Sequence, residues 1–274
     1  MQYQTYVPAP PLDRYIERFW LCSDTPSTAS ERIVPSGTLE LVINLCEDEV
    51  RIYDPLQLDR YVRLSGGVVS GTYHSYFTID PRQHASILGV HFRPGGACPF
   101  LGMPAHELAD THVDLAAIWG SAAVALRDAL CAAGSPGERF SLLEAALGSR
   151  LRTSRETHWA VSAAVELLER TAGTIRVRDL SHQVGLCQRR LIQVFAAEVG
   201  LTPKQYGRIQ RFQRARAQCG RVALPDWAEI AYACGYADQA HLIHDFQAFA
   251  GHTPGAYHRR AAERRLPNHV PAAR

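Results

Sequence analysis

The chain has 274 residues, 46% hydrophobic and 20% charged, which suits one large domain or two ordinary ones and excludes a disordered chain. Its longest strongly apolar stretch without a charge, Leu115 to Leu126, is too short to cross a bilayer, and no basic start followed by an apolar run marks a secretory signal, so a cytoplasmic protein with no membrane partner is expected. Seven scattered cysteines without a C-x-x-C pair argue against a disulfide scaffold or a zinc finger, and the net charge of +2 conceals an asymmetry: 12 basic and 17 acidic residues in 1–152, against 17 and 10 in 153–274.

Residues 1–100 read mainly as strands and turns. Leu39, Leu41, Ile43 and Leu45 alternate on one face, with Glu40 and Asn44 on the other, after a Pro35-Ser36-Gly37 turn. Short apolar runs at Tyr61–Leu64, Val68–Val69, Tyr76–Ile79 and Ile87–Phe92 follow, which predicts a small antiparallel sandwich or barrel. Arg93-Pro94-Gly95-Gly96 reads as a turn closing the last strand; it lacks the pattern of a phosphate-binding loop. Helices are expected over about 104–152. Ala122 to Ala132 is rich in Ala and Leu, and Ser135 can cap a helix from Pro136 whose Phe140, Leu143, Leu147 and Leu151 form an apolar stripe. That stripe is read as core, with a part available to a second subunit. Thr153 to Thr157 reads as an interdomain joint, helices continue to about His258, and 261–274 as a loose tail.

The second half contains an internal repeat. Val177, Leu180, Ser181, Val184 and Gly185 recur at an offset of 50 as Trp227, Ile230, Ala231, Cys234 and Gly235. Beyond that glycine the offset is 51, and Leu191-Ile192, Phe195, Gly200, Thr202-Pro203 and Tyr206 recur as Leu242-Ile243, Phe246, Gly251, Thr253-Pro254 and Tyr257. Core packing explains the Leu and Phe but not the Gly, Thr-Pro and Tyr together. Each copy reads as a short amphipathic helix, a glycine turn and a second helix that packs back through residues four apart. The two units, at about 176–199 and 226–250, are joined by a helix from Pro203 to Cys219. Ile209, Phe212, Ala215 and Cys219 are its apolar stripe, and Arg208, Arg211 and Arg214 are spaced as phosphate contacts. Ten basic residues against two acidic ones in 176–221 suggest a polyanionic partner for this segment.

These two units, with Gly235 to Phe246 and Gly251 to Tyr257, resemble the AraC/XylS family of bacterial transcription regulators. The resemblance covers 158–260; Gly89 to Gly96 and Phe100 to Pro104 are similar to the companion domain of some members. It implies an α+β two-domain protein: a mainly-β N-terminal domain (sandwich or cupin-like barrel) followed by helices, then an all-α C-terminal domain with two helix-turn-helix motifs and a linker helix. Residues 1–152 would sense a signal or dimerise, and 158–260 would bind double-stranded DNA. The resemblance places base-reading residues at Arg189, Ile192 and Gln193 in the first unit and at Gln239, Ala240, Ile243 and His244 in the second, with Arg190 and His241 beside them. It departs from the family pattern at Cys187, where a cap Ser is usual, and at Gln193 and His244, where Arg is usual. It also implies an activator acting with RNA polymerase, a homodimer and a small-molecule effector.

No enzyme activity, catalytic residue, cofactor or metal is expected of this sequence. His74, His84 and His91 lack ligand spacing, and Cys22, Cys46 and Cys98 read as buried small hydrophobes. His241 and His244, three apart, are read as groove contacts rather than ligands. The alternatives are a small-molecule enzyme or DNA-repair alkyl transferase fused to a DNA-binding domain, and a helical interaction module that no longer binds DNA.

Overall fold

Alternating apolar residues in the first hundred positions become short strands because each has one face to bury. The computed structural model describes residues 2–23, 30–55, 57, 59–83, 85–151, 156–220, 224–261 and 268–271. Its first strands are β1 (Gln2–Tyr6), β2 (Ile16–Ser23), β3 (Glu31–Ile33), β4 (Glu40–Asn44), β5 (Glu49–Tyr53) and β6 (Tyr61–Ser65). Then come β7 (Gly67–Ser70), β8 (Phe77–Ile79), β9 (Ser86–Phe92) and β10 (His112–Asp114), with β11 (His269–Pro271) at the far end of the chain. They form two antiparallel sheets, ordered β1-β2-β9-β4-β7-β10 and β11-β3-β8-β5-β6. The expected strand-rich N-terminal architecture is present as a two-sheet sandwich.

Four helices cover the outer face of the six-stranded sheet: α1 (Cys98–Leu101), α2 (Leu115–Trp119), α3 (Ser121–Ala132) and α4 (Pro136–Arg150). The Ser135 hydroxyl accepts the Glu138 amide at the start of α4, as its sequence predicts. Leu41, Ile43, Val69, Leu88 and Val90 pack from the sheet against Phe140, Leu143 and Leu147 of α4. The α4 stripe is therefore used inside the chain. Glu40 and Val42 point the other way, toward the second sheet, so the polar side of the Leu39–Leu45 alternation does not face bulk water.

The rest is helical: α5 (Trp159–Arg170), α6 (Val177–Gln183), α7 (Gln188–Val199), α8 (Pro203–Cys219), α9 (Trp227–Ala233), α10 (Gln239–Ala250) and α11 (Pro254–Ala261). A capping box starts α8, with Thr202 and Gln205 satisfying each other's backbone amides. Two expectations change. The tail is not loose at 268–271: β11 pairs with β3, and Val270 is wholly buried. Cys22 and Cys98 are buried, but Cys46 lies exposed in the turn after β4. The joint expected at Thr153 to Thr157, like His84, falls largely or wholly outside the described residues.

Candidate DNA-binding surface

The repeat folds as two copies of one two-helix unit. In the first, α6 ends at a turn where Gly185 has φ +68°; in the second, α9 ends where Gly235 has φ +76°. Leu191 and Phe195 on α7, and Leu242 and Phe246 on α10, are wholly buried in one core shared with Ile209, Phe212, Ala215 and Cys219 of α8. Cys187 precedes α7 without a side-chain capping bond, whereas the Asp238 carboxylate accepts the His241 amide at 2.8 Å before α10.

With one face of each second helix committed to the core, the opposite face near its N-terminus is free. Arg189, Arg190, Ile192 and Gln193 are exposed on α7. Gln239, Ala240 and His244 are exposed on α10, with His241 and Ile243 half-buried beside them. The His241 ring meets the Tyr236 ring edge-on at 5.1 Å, which leaves it less free than its neighbours.

The three linker arginines do not behave alike. Arg214 is exposed. Arg211 lies over the Tyr236 ring at 5.7 Å, and Arg208 is drawn inward. Arg208 Nε and Nη2 donate to Asp245 Oδ1 at 2.7 and 2.6 Å, and its guanidinium sits 4.9 Å from the Phe249 ring centre. Asp245 is fully buried. The period of three in the sequence suggested one row of phosphate contacts; the structure gives Arg208 the neutralisation of an interior carboxylate, because α8 and α10 cross there. The signal was Asp245 itself, an acidic residue within the apolar spacing of Leu242, Phe246 and Phe249, where a buried charge requires a cation.

Residues 180–260 match a family model described as a helix-turn-helix domain, and residues 4–114 match one described as a domain of unknown function (DUF6597). The C-terminal half carries an AraC-type helix-turn-helix domain. Among solved structures, a transcriptional regulator with an AraC-type DNA-binding domain from Chromobacterium violaceum is 24% identical, covers 38% of this chain and 93% of its own, and has a TM-score of 0.36. The C-terminal domain of AraT, a response regulator from Geobacillus stearothermophilus, is 18% identical over 41% of this chain and 92% of its own, with a TM-score of 0.36. ToxT from Vibrio cholerae is 9% identical over 94% of this chain and 98% of its own, with a TM-score of 0.47. No curated protein matches the sequence significantly. Among the described residues, no three His, Cys, Asp or Glu side chains gather as metal ligands, and no helix is long and apolar enough to cross a membrane.

The AraC-type domain rests on the sandwich through the C-terminal ends of both exposed-face helices. At the end of α7, Gly200 (φ +84°) leaves room that a Cβ would take from Thr72 Oγ1, 2.3 Å away, and the Ala105 carbonyl, 3.1 Å away. At the end of α10, a Cβ on Gly251 (φ +65°) would lie 2.6 Å from Arg32 Nη1 and 2.7 Å from the Tyr76 ring. Arg32 Nη1 donates to the Gly251 carbonyl at 3.0 Å, and its guanidinium stacks on Tyr76 at 4.5 Å. The two glycines of the repeat thus serve both a left-handed turn and a close approach of the other domain.

Strand β3 and its partner β11 form a wall with two faces. Ile33 and His269 line a cavity between the sheets, which encloses about 500 Å³ of space with its open mouth included. Val34 and Val270 are buried in the core of the AraC-type domain, and Arg32 holds α10. Period-two alternation puts these neighbours on opposite sides of one pair of strands.

His112 lines the same cavity, and burial pulls its pKa down to about 4 from an ordinary 6.5, so it is neutral at physiological pH. The unfolded chain takes up a proton below pH 6.5 that the folded chain refuses until about pH 4. Stability from this group is therefore lost as pH falls from about 6.5 toward 4. Urea unfolding at pH 7.5 and pH 5 is expected to show an acid-induced loss that is smaller by about 2 kcal/mol in His112→Gln. Equal losses in the two proteins would contradict a buried neutral His112.

Proposed function

We propose that this protein is a bacterial, cytoplasmic DNA-binding transcription regulator, an activator that answers to a small molecule held between its sheets. Residues 1–152 act as the sensing and dimerisation domain, and residues 158–260 read DNA with two successive helices. The observation that carries the signal-responsive reading is the β3–β11 wall, because anything that moves Ile33 or His269 bears on Arg32, Val34 and Val270. Activation, dimerisation and contact with RNA polymerase follow from the AraC/XylS resemblance.

In this reading Arg189, Ile192 and Gln193 meet one stretch of major groove. Gln239, Ala240, Ile243 and His244 meet the next, with Arg190 and His241 at the edges. Their exposure, opposite the core-packed faces of α7 and α10, supports it. Arg211 and Arg214 serve the phosphates, and Arg208 supports the fold of the second unit. Binding weakens steeply with salt as phosphate counterions are released.

Selection of bound sites from a random DNA pool tests the function and yields the operator. On the selected site, Arg189→Ala and Gln239→Ala are each expected to weaken binding by about 1–3 kcal/mol, and each to relax preference at one base pair. Arg211→Ala is expected to weaken specific and random DNA alike. Equal loss on both DNAs with Arg189→Ala would remove the base-reading assignment.

A further inference from the structure

Strand register turns scattered polar residues of the sandwich into one row. Arg18 on β2 is the register partner of His91 on β9, and His91 that of Glu40 on β4. Glu40 is paired with Ser70 on β7, and Ser70 with His112 on β10. Cross-strand partners project to one face of a sheet, so five polar side chains cross the sandwich interior at one level. Two residues along the first four of these strands, Trp20, Gly89, Val42 and Val68 make an apolar row at the next level; on β10 the row ends at Asp114, which lies outside the cavity lining and accepts the Ser65 amide. The cavity is lined by Glu40, Ser70 and His112 from the first row and by Trp20, Val42 and Val68 from the second. One end of it is polar and the rest is apolar.

The polar end is an acceptor. Glu40 Oε1 accepts a hydrogen bond from His91 Nδ1 at 2.7 Å. Burial pushes the Glu40 pKa up, but the hydrogen bond and charge of His91, with the charges of His269 and Arg18, outweigh it and hold the group below its usual range. Neighbouring basic side chains already have partners: Arg18 pairs with Glu17, and His269 Nδ1 lies 2.6 Å from Glu31. His112 contributes no charge; its Nδ1 accepts from the Tyr73 hydroxyl, and Nε2 sits 3.3 Å from Ser70 Oγ. A ligand entering with a carboxylate or phosphate would shed its water, meet the Glu40 carboxylate and find each nearby basic side chain already engaged. A hydroxyl or ammonium group would find an acceptor.

We propose that the cavity takes a compact molecule with an apolar body and a neutral or cationic hydrogen-bond donor that meets Glu40, and that it excludes carboxylates of the same size. This rests on reading the cavity as the effector site. Benzyl alcohol, benzylamine and benzoate share a ring and differ in that one group, so they test it on the full chain. The reporter is the Trp20 indole N–H signal, assigned with Trp20→Phe. Benzyl alcohol and benzylamine are expected to move it saturably in roughly the millimolar range, and benzoate at least about ten-fold more weakly. In Glu40→Gln, which keeps an acceptor for His91, the gap between benzoate and benzyl alcohol is expected to close by at least about five-fold. The ranking in the unmutated chain decides the matter even if that variant does not fold. Benzoate binding as tightly as benzyl alcohol overturns the ligand class and leaves the cavity as the binding site. Failure of all three probes to move the Trp20 signal overturns the cavity reading itself.

Discussion

Arg208→Ala is expected to destabilise the AraC-type domain by about 3 kcal/mol, more than the loss of any exposed arginine beside it. Asp245 lies on the buried face of α10 between Leu242, Phe246 and Phe249, and Arg208 supplies both short donors to its Oδ1. Truncation removes the cation and leaves the carboxylate in an aromatic core. The figure sits at the low end for broken buried pairs because Arg208 is itself about one-third exposed, so water can follow once the side chain is gone. Replacing both partners with apolar residues of similar volume, Arg208→Met with Asp245→Leu, should recover most of the loss, since an interior ion pair is worth little more than good apolar packing. Arg214→Ala, on the exposed edge, should stay within about 0.5 kcal/mol. Urea unfolding followed by circular dichroism measures all three. An Arg208→Ala chain as stable as the parent, yet weakened on DNA, would return Arg208 to the phosphate row.

The duplicated unit was legible in the sequence because its requirements recur. A turn with positive φ needs Gly185 and again Gly235, and a helix packed by residues four apart needs Leu191 with Phe195 and again Leu242 with Phe246. The exposed face came from the AraC/XylS resemblance, which put it near the start of each second helix. Features that depend on a distant partner were not legible. Val270 sits in a three-residue strand whose pattern is too short to register, and it becomes a strand only because β3 offers an edge some 240 residues earlier. Glu40 was visible as the polar side of an alternation, but alternation alone does not say whether that side meets water or a second sheet. Gly200 and Gly251 were visible as a recurring pair; that they end α7 and α10, and that the N-terminal domain presses against both, requires the packing of the two halves.

Val270→Asp is expected to peel β11 from β3 and to separate the two faces of the wall. Val270 is wholly buried in the AraC-type core, and an ionised carboxylate there, without a partner, would cost several kcal/mol. The chain has a cheaper escape: release of three residues, which forfeits the short β3 ladder and the bond from the Val34 amide to the Asn268 carbonyl at 2.9 Å. That escape caps the loss at about 3–4 kcal/mol, the burial of one valine plus a few backbone bonds. Amide exchange of Arg32 and Val34 is expected to quicken by roughly 100-fold, while the amides of Leu191, Phe195 and Leu242 keep their protection. Affinity for the selected DNA site should change little, because the free faces of α7 and α10 lie at the helix ends away from Gly200 and Gly251, where the sandwich is held. Val270→Ile, which keeps the apolar contact, should leave both exchange and binding near the parent values. If Val270→Asp instead strips protection from α7 and α10 together and abolishes DNA binding, β11 is part of the core of the DNA-reading half and not a separable wall between it and the cavity.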